Sequence, residues 1–567
     1  METTIQSKTC THCQAPFDIT DQDLAFYDRV SPAIDGKKYA FPAPTMCPAC
    51  RRQRRLAYRN DRTLYKSICA MTGKPMISMY NTDYGYTVYE QGIWRSDERD
   101  PMSYGRTFDP SRSFFEQYYE LMKQVPRFNL YNMDSENCDY VNYAPHCKNC
   151  YLLFGSRFSE DCYYGQTILG ESKNCMDSLF LDGCEYCYEN IDCTKNYNSF
   201  FCQNCIQCTN SYFCFDCENC TNCIGCYNLR NKDYHILNKP VSKEEFMAEK
   251  AKFSSHTKLM ESKKFYEDHI RGNAIFRFYR GRQNENVSGD FIFQSKNIKD
   301  SFSIYESKDL AFCARMIGGK DSYDFDGGGK SELTCENMSN DFSYACIGCM
   351  TAERLKYCYY CDLCFDCEHC FGCIGLRKKQ FCIFNTQYTK AEYEALVSQI
   401  IEKMMTDHER GQFLLSKYCP YGYNETMAYE YDPLTKEFAL QRGYKRRDEE
   451  KKEYIIQTYI VPDDIVDVQD DILGQVLQCE ITKKNFKIIP QELAFYRKMK
   501  LPIPRRHPDQ RHLERMNKRT PRKLWERKCM KCGTDIQTTY SPDPDGSGAS
   551  RPEIVRCEQC YNKEIYW

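Results

Sequence analysis

The sequence predicts a mainly β fold with α elements: duplicated, cysteine-laddered, β-solenoid-like repeats flanked by paired cysteine modules at both chain ends. Three observations carry this reading: a period of three among the cysteines, a duplication of the segment that holds it, and a second duplication that joins the chain ends. Between Cys184 and Cys226 every cysteine falls on one residue in three; of the 15 lattice positions eleven are Cys, and the others are Asn190, Asn196, Ser199 and Ser211. The pattern returns from Cys346 to Cys373, where ten positions hold eight cysteines plus Ala352 and Leu355. An irregular loop does not keep phase over 43 residues. Something repetitive is built, with small side chains on one side of it.

Stacked short coils with Cys, Ser and Ala pointing inward suit a β-solenoid. Tyr212, Phe213, Phe215, Tyr357, Tyr359, Tyr360 and Phe365 between the cysteines supply β-propensity and bulk. A period of three matches neither a strand nor a helix, so coil length and handedness stay open. The alternative is a chain of CxxC knuckles binding several metals. A tetrathiolate site needs two converging pairs, and overlapping triplets designate none.

Residues 223–246 match 370–393 without a gap, with ten identities in 24 positions, among them Leu229 with Leu376, Arg230 with Arg377 and Asn238 with Asn385. Past each lattice comes a capping box, Ser242-Lys-Glu-Glu245 or Thr389-Lys-Ala-Glu392, which marks a helix start. Tyr393, Leu396, Val397, Ile400, Ile401, Met404 and Met405 lie on one face of the second helix. Each copy is expected to be a repetitive element closed by a helix, as an open-ended solenoid requires.

The second duplication aligns Leu24-Ala-Phe-Tyr27 with Leu493-Ala-Phe-Tyr496, and Pro42 through Cys69 with Pro502 through Cys529 at a fixed offset. Arg51, Arg55, Arg62 and Leu64 recur as Arg511, Arg515, Arg522 and Leu524. Each terminus thus carries two successive modules. The first N-terminal module is complete (Cys10, Cys13, Cys47, Cys50); the second keeps Cys69 but has Thr72, Tyr89 and Gly92 at the ligand positions. At the C-terminus the first module keeps Cys479, with Thr482, His507 and Gln510, and the second is complete (Cys529, Cys532, Cys557, Cys560). Two four-cysteine sets with two-residue spacers are a zinc-ribbon signature. Four thiolates saturate tetrahedral Zn²⁺ and leave no position for water, so about two structural zinc ions per chain are expected. Cys69 and Cys479 read as buried thiols, His12 as a solvated turn residue and His507 as a vestigial ligand.

Basic residues crowd beside these ribbons. Arg51, Arg52, Arg54 and Arg55 lie in one run, and from Arg497 to Lys531 there are fourteen Lys/Arg against three acids, in a chain of net charge −2. Such segregation resembles a phosphate-tracking surface; a solvated or protein-facing helix face is the competing reading. The expected phosphate contacts are Arg51, Arg52, Arg54, Arg55, Arg511, Arg515, Lys518 and Arg519.

Catalytic motifs are lacking. Asp326-Gly-Gly-Gly-Lys-Ser331 resembles the end of a P-loop but lacks its first glycine, and a solenoid turn explains it better. No HExxH, GxSxG or strand-embedded GxGxxG is present. The start of the chain lacks the apolar core of a signal peptide, and no apolar run approaches ~20 residues. A reducing cytoplasmic setting is therefore expected, with metal sites or buried thiols in place of disulfides.

Cys10-x-x-Cys, Ile19-Thr-x-x-Asp23-Leu-x-Phe-Tyr27, Pro42-x-Pro44-Thr-x-Cys47-Pro-x-Cys50-Arg-x-Gln-Arg-Arg-Leu-Ala-Tyr-Arg-Asn60, Trp94-x-Ser-Asp97, the cysteine lattice ending in Asn-Leu-Arg and Tyr423-Asn-Glu-Thr426 resemble an uncharacterised, cysteine-rich zinc-ribbon and repeat family of small-genome bacteria. The likeness covers nearly the whole chain. Some members of that family carry a CaiB/BaiF (CoA-transferase) label, but none of that class's architecture is identifiable in this sequence. The family brings no activity to carry over.

The expected layout is a ribbon pair over 1–110, solenoid copies with capping helices over 130–250 and 285–400, a charged helical connector over 401–465, and a second ribbon pair over 470–567; residues 247–285 link the copies. The expected function is a non-enzymatic cytoplasmic zinc protein contacting nucleic acid, RNA over DNA. A protein-binding scaffold is the alternative, and a thiol-redox or metal-handling protein a third class. No membrane or small-molecule partner is indicated.

Overall fold

In the computed structural model of the chain, residues 2–448, 453–542 and 553–566 are described. Residues 449–452 of the expected connector and 543–552 of the last ribbon lie outside them. Helix makes up 26% and strand 30%, so the β content is substantial but helices are nearly its equal.

The lattice segments are stacks of parallel coils. Leu179 pairs with Ile191, Cys187 with Ser199, Cys223 with His235 and Cys370 with Cys382, so each coil is 12 residues long. Along both stacks every third residue is left-handed, for example Tyr186, Glu189, Asp192, Lys195 and Asn198 with φ of 48–54°. One such residue turns the chain at the end of each three-residue side, and four sides complete a coil. The period of three is therefore the distance between corners. Left-handed backbone is tolerated best by Asn, Asp and Gly, which explains corners such as Asn204, Asn210, Asp216, Asn219, Asn222 and Gly225. In Asp326-Gly-Gly-Gly, Gly327 (φ 73°) is such a corner, and a Cβ on the inward-facing Gly328 would meet the Phe325 ring at 2.8 Å. The tripeptide serves packing.

The residue after each corner points inward. Cys205 adjoins Cys202 and Cys208 within its coil and Cys193 and Cys217 in the coils on either side. Sulfur hydrogens are spent on the backbone: Cys193 donates to the Ile191 carbonyl at 3.3 Å and the Cys202 carbonyl at 3.5 Å. Only small or slender side chains fit where four inward residues meet. The first coils of the second copy solve this differently, with Ile292, Ser295, Ile298, Ser301, Ile304 and Ser307 all buried. The lattice also begins earlier than Cys184. Leu179 pairs with Gln166 and Lys173 with Glu160, a 13-residue step, because an extra residue is absorbed at Gly170 and Glu171, both left-handed. Before that slip Cys138, Cys147, Cys150 and Cys162 hold the inward positions in another phase. Because each side of a coil pairs separately, strands Lys296–Tyr305, Lys308–Ala311, Ala314–Ile317 and Lys320–Gly329 form a closed ring of parallel pairings.

Both stacks end alike. The side-chain amide of Asn238 accepts from Tyr227 N–H and donates to its carbonyl, each at 2.9 Å; Asn385 does the same to Ile374 at 2.8 Å. An amide side chain thus replaces the next coil and satisfies an otherwise open edge. Helices Lys243–Lys250 and Lys390–Thr406 follow, each started by the expected capping box. The latter buries Tyr393, Val397, Ile400, Ile401 and Met404 and leaves Met405 exposed, so its apolar face is narrower than the sequence suggested. No helix among the described residues is long and apolar enough to cross a membrane.

Candidate metal centres and the arginine helices

One backbone turn is used four times. Cys10 N–H donates to the Ala15 carbonyl and Gln14 N–H back to Cys10, at 2.9 and 3.0 Å; the same two bonds recur at Cys69, Cys479 and Cys529. The closing residue is left-handed each time: Gln14, Gly73, Lys483 and Gly533. The second pair of positions begins a helix. Cys47 caps Pro48–Leu56 and Cys557 caps Glu558–Ile565. In the incomplete modules His507 caps Pro508–Lys518 and Glu90 caps Gln91–Arg95.

In the two complete modules the four sulfurs lie within 4.8 Å of one another. Cys13 and Cys47 are 3.7 Å apart, as are Cys532 and Cys557, close to the edge of a tetrahedron with metal–sulfur bonds of ~2.3 Å. The setting favours thiolate at Cys47, Cys529 and Cys532, while Cys13, Cys50, Cys557 and Cys560 are pushed up. Cys47 is pulled down to about 5, first by the hydrogen bond from the Cys50 thiol and then, against burial, by the Cys50 backbone N–H. At Cys529 burial pushes up, but the N–H groups of Cys532, Cys557 and Lys531 outweigh it and bring the thiol to about 6. Helix N-termini aimed at sulfur are the usual means of such lowering.

No third group of three or more such ligand atoms converges among the described residues. Cys69 and Cys479 are buried thiols, and Cys69 sulfur accepts the Glu90 N–H at 3.4 Å as Cys529 sulfur accepts that of Cys557 at 3.3 Å. His507 spends Nδ1 on the Asp509 N–H at 3.1 Å. His12, expected in solvent, is half-buried with its ring 6.2 Å from Tyr444.

The basic residues expected at phosphates are turned inward. Arg51, Arg52, Arg54, Arg55, Arg511 and Arg515 are each no more than 5% exposed. Arg51 reaches Asp324 at 3.0 Å, Arg54 reaches Glu336 at 3.2 Å, and Arg55 reaches Asp326, Asp324 and Glu336 at 2.8, 3.1 and 2.8 Å. At the other end Arg511 pairs with Asp177 and Arg515 with Asp177 and Glu189 at 3.1 and 2.8 Å. Arg519 meets Asp192 at 2.9 Å and Lys518 meets Glu267 at 2.6 Å. Arg51, Arg54, Arg55, Arg511, Arg515, Lys518 and Arg519 are thus engaged with carboxylates of the chain itself, and Arg52 is buried beside them without an ion pair among the described residues. Buried guanidiniums must be paired, and the stacks supply the acids from their corners: Asp177, Glu189, Asp192, Asp324 and Glu336 all have positive φ.

The two interfaces are equivalent. Arg51 and Arg511 are 460 residues apart, as are Arg55 and Arg515; Asp177 and Asp324 are 147 apart, as are Glu189 and Glu336. Arg59, 460 residues before Arg519, meets Ser339, 147 residues after Asp192. Docking is crosswise: the N-terminal helix sits on the second stack and the C-terminal helix on the first. The sequence held a signal for this in the two offsets, which place the acids in register with the arginines.

Two outcomes are expected from this packing. Burial pushes the thiols of Cys193, Cys202 and Cys217 up and makes them unreactive. Outside the two metal groups only Cys138 is not buried. Titration of native, metal-loaded protein with an aromatic disulfide reagent will therefore register about one fast thiol, and all 38 in denaturant with chelator. The second outcome concerns His512, which is buried 3.5 Å from Glu430. Burial, then Arg62, push it down to about 4, against the pull of Glu430. The unfolded chain takes up this proton near pH 6.5, so stability is lost as pH falls from there toward 4. Denaturant melts across that range will show wild type losing up to about 3 kcal/mol more than His512→Gln.

Comparison with protein-family models and with the curated proteins returned no match.

Proposed function

We propose that the protein is a non-enzymatic, zinc-stabilised scaffold of a thiol-reducing compartment such as the cytoplasm, its two stacks offering the binding surface. The observation that carries this reading is the internal use of both arginine helices, which withdraws the basic surface that nucleic acid would need. Zinc is the ion that suits the closed tetrathiolate groups, and without an open coordination position they hold structure and do no chemistry. None of the 38 cysteines is joined in a disulfide, which supports a reducing setting. The stacks carry apolar groups outward in register: Phe293 stacks on Tyr305 at 5.2 Å, and Tyr305 pairs along the ladder with Ile317, which is 47% exposed.

Purification of the tagged chain from its native cell tests the reading. A protein partner that is retained by wild type and lost on Tyr305→Lys with Ile317→Lys supports it. Tight binding of single-stranded RNA at low salt, weakening steeply as salt rises, would restore the nucleic-acid reading instead.

A further inference from the structure

One cavity gathers several positive side chains that form no ion pair among the described residues. It measures about 440 Å³ and opens where the N-terminal arginine helix, the first coils of the second stack and the C-terminal module meet; Arg52, Lys299, Asp300, Phe312, Arg522 and Lys523 line it. Along Pro48–Leu56, Arg51, Arg54 and Arg55 each meet a carboxylate. Arg52, 5% exposed, does not. Among the described residues its guanidinium donates only to the Arg522 carbonyl, and it stands over the Phe302 ring at 5.2 Å. Arg522, 8% exposed, donates to the Tyr431 hydroxyl at 3.0 Å and stacks on that ring at 3.9 Å. Among the described residues no carboxylate lies within 4 Å of Arg52, Arg522 or Lys523, whereas Lys299 is neutralised by Glu2 and Asp23 at 2.8 and 3.2 Å. Asp300 is a carboxylate in the same cavity whose side chain makes no hydrogen bond or ion pair among the described residues and feels the positive charges of Arg52, Arg51 and Lys299 from a distance.

Arg52 and Arg522 are buried at this wall with no carboxylate within 4 Å among the described residues, Asp300 and Asp432 acting on them only from farther away, and the exposed Lys523 lines the cavity beside them; a buried guanidinium without an ion pair is costly. Guanidiniums match a phosphate group in geometry and charge, and the volume falls within the roughly 300–1,000 Å³ of small-molecule sites, more than a bare phosphate fills. Asp300 requires a donor on the same molecule, and Phe312 provides an apolar wall. We propose that this cavity binds a small organic phosphate bearing hydroxyl or amino donors, a sugar phosphate or a mononucleotide. Arg52, Arg522 and Lys523 hold the phosphate and Asp300 accepts from the sugar hydroxyls.

The test uses the full zinc-loaded chain with three probes: inorganic phosphate, ribose 5-phosphate and adenosine 5′-monophosphate. Calorimetry and melting curves should show the two organic phosphates binding and raising the melting temperature, phosphate alone binding more weakly. Arg52→Gln and Lys523→Gln should each weaken all three by about tenfold or more. Asp300→Asn should weaken the sugar-bearing probes and spare inorganic phosphate. Tighter binding of the nucleotide than of the sugar phosphate assigns the base to Phe312; equal binding assigns a sugar phosphate. Failure of every probe to bind at ~10 mM, or unchanged binding by a folded Lys523→Gln variant, overturns the proposal. Both results stand apart from the outcome of the partner search.

Discussion

Replacing Arg55 with alanine will destabilise the folded chain by about 3–5 kcal/mol, one of the two largest effects expected from any single change. Arg55 is fully buried and bonded to Asp324, Asp326 and Glu336. Its removal leaves three carboxylates in a low-dielectric interior with Arg51 and Arg54 alone to meet them. Arg515→Ala should act alike, stranding Asp177 and Glu189. Arg29, whose pair with Asp321 is half-exposed, serves as the control, and its alanine variant should change stability by about 1 kcal/mol or less. Urea melts followed by circular dichroism decide both. Large losses at the buried arginines and none at Arg29 distinguish a packed strut from a basic surface, since phosphate-contacting arginines can be removed from a free protein at little cost.

The other large effect is metal loss. Cys529→Ser should lower zinc content from about two ions per chain to one and unfold the C-terminal module. A structural zinc site contributes apparent binding energy of about 10–16 kcal/mol to such small units, more than the hairpin Trp525–Lys528 with Asp535–Thr538 and helix Glu558–Ile565 could supply by themselves. Hydrogen exchange should show those elements losing protection while the coils around Cys193–Cys205 keep theirs. The module also sends Tyr561 to Asp216 and Arg230 on the last coils, so the end of the first stack should loosen with it. Two zinc ions retained in Cys529→Ser would show that the fourth thiolate is dispensable.

How much of this was legible in the sequence depended on whether the signal was local. The capping boxes at Ser242 and Thr389 and the four-cysteine groups were readable because each is set by a few residues at fixed spacing. Coil length was not, because corners are a conformation and not a residue type: Tyr186, Lys195 and Phe201 adopt left-handed backbone as Asn198 does. Nor did cysteine mark every inward position. Ile292, Ser295 and Ile298 fill the early coils of the second copy, and the slip at Gly170 hid Cys138 through Cys162 from the lattice. The arginines misled for a related reason. Charge segregation is visible along the chain, but the acids that neutralise Arg51 and Arg511 lie 273 and 334 residues away.

The most direct test of crosswise docking is a double-mutant cycle between Arg515 and Glu189, which join the C-terminal helix to the first stack. If the helices are struts, Arg515→Ala and Glu189→Ala will be strongly non-additive, with a coupling of about 2 kcal/mol or more. Single-variant effects that sum to the double within about 0.5 kcal/mol would contradict it.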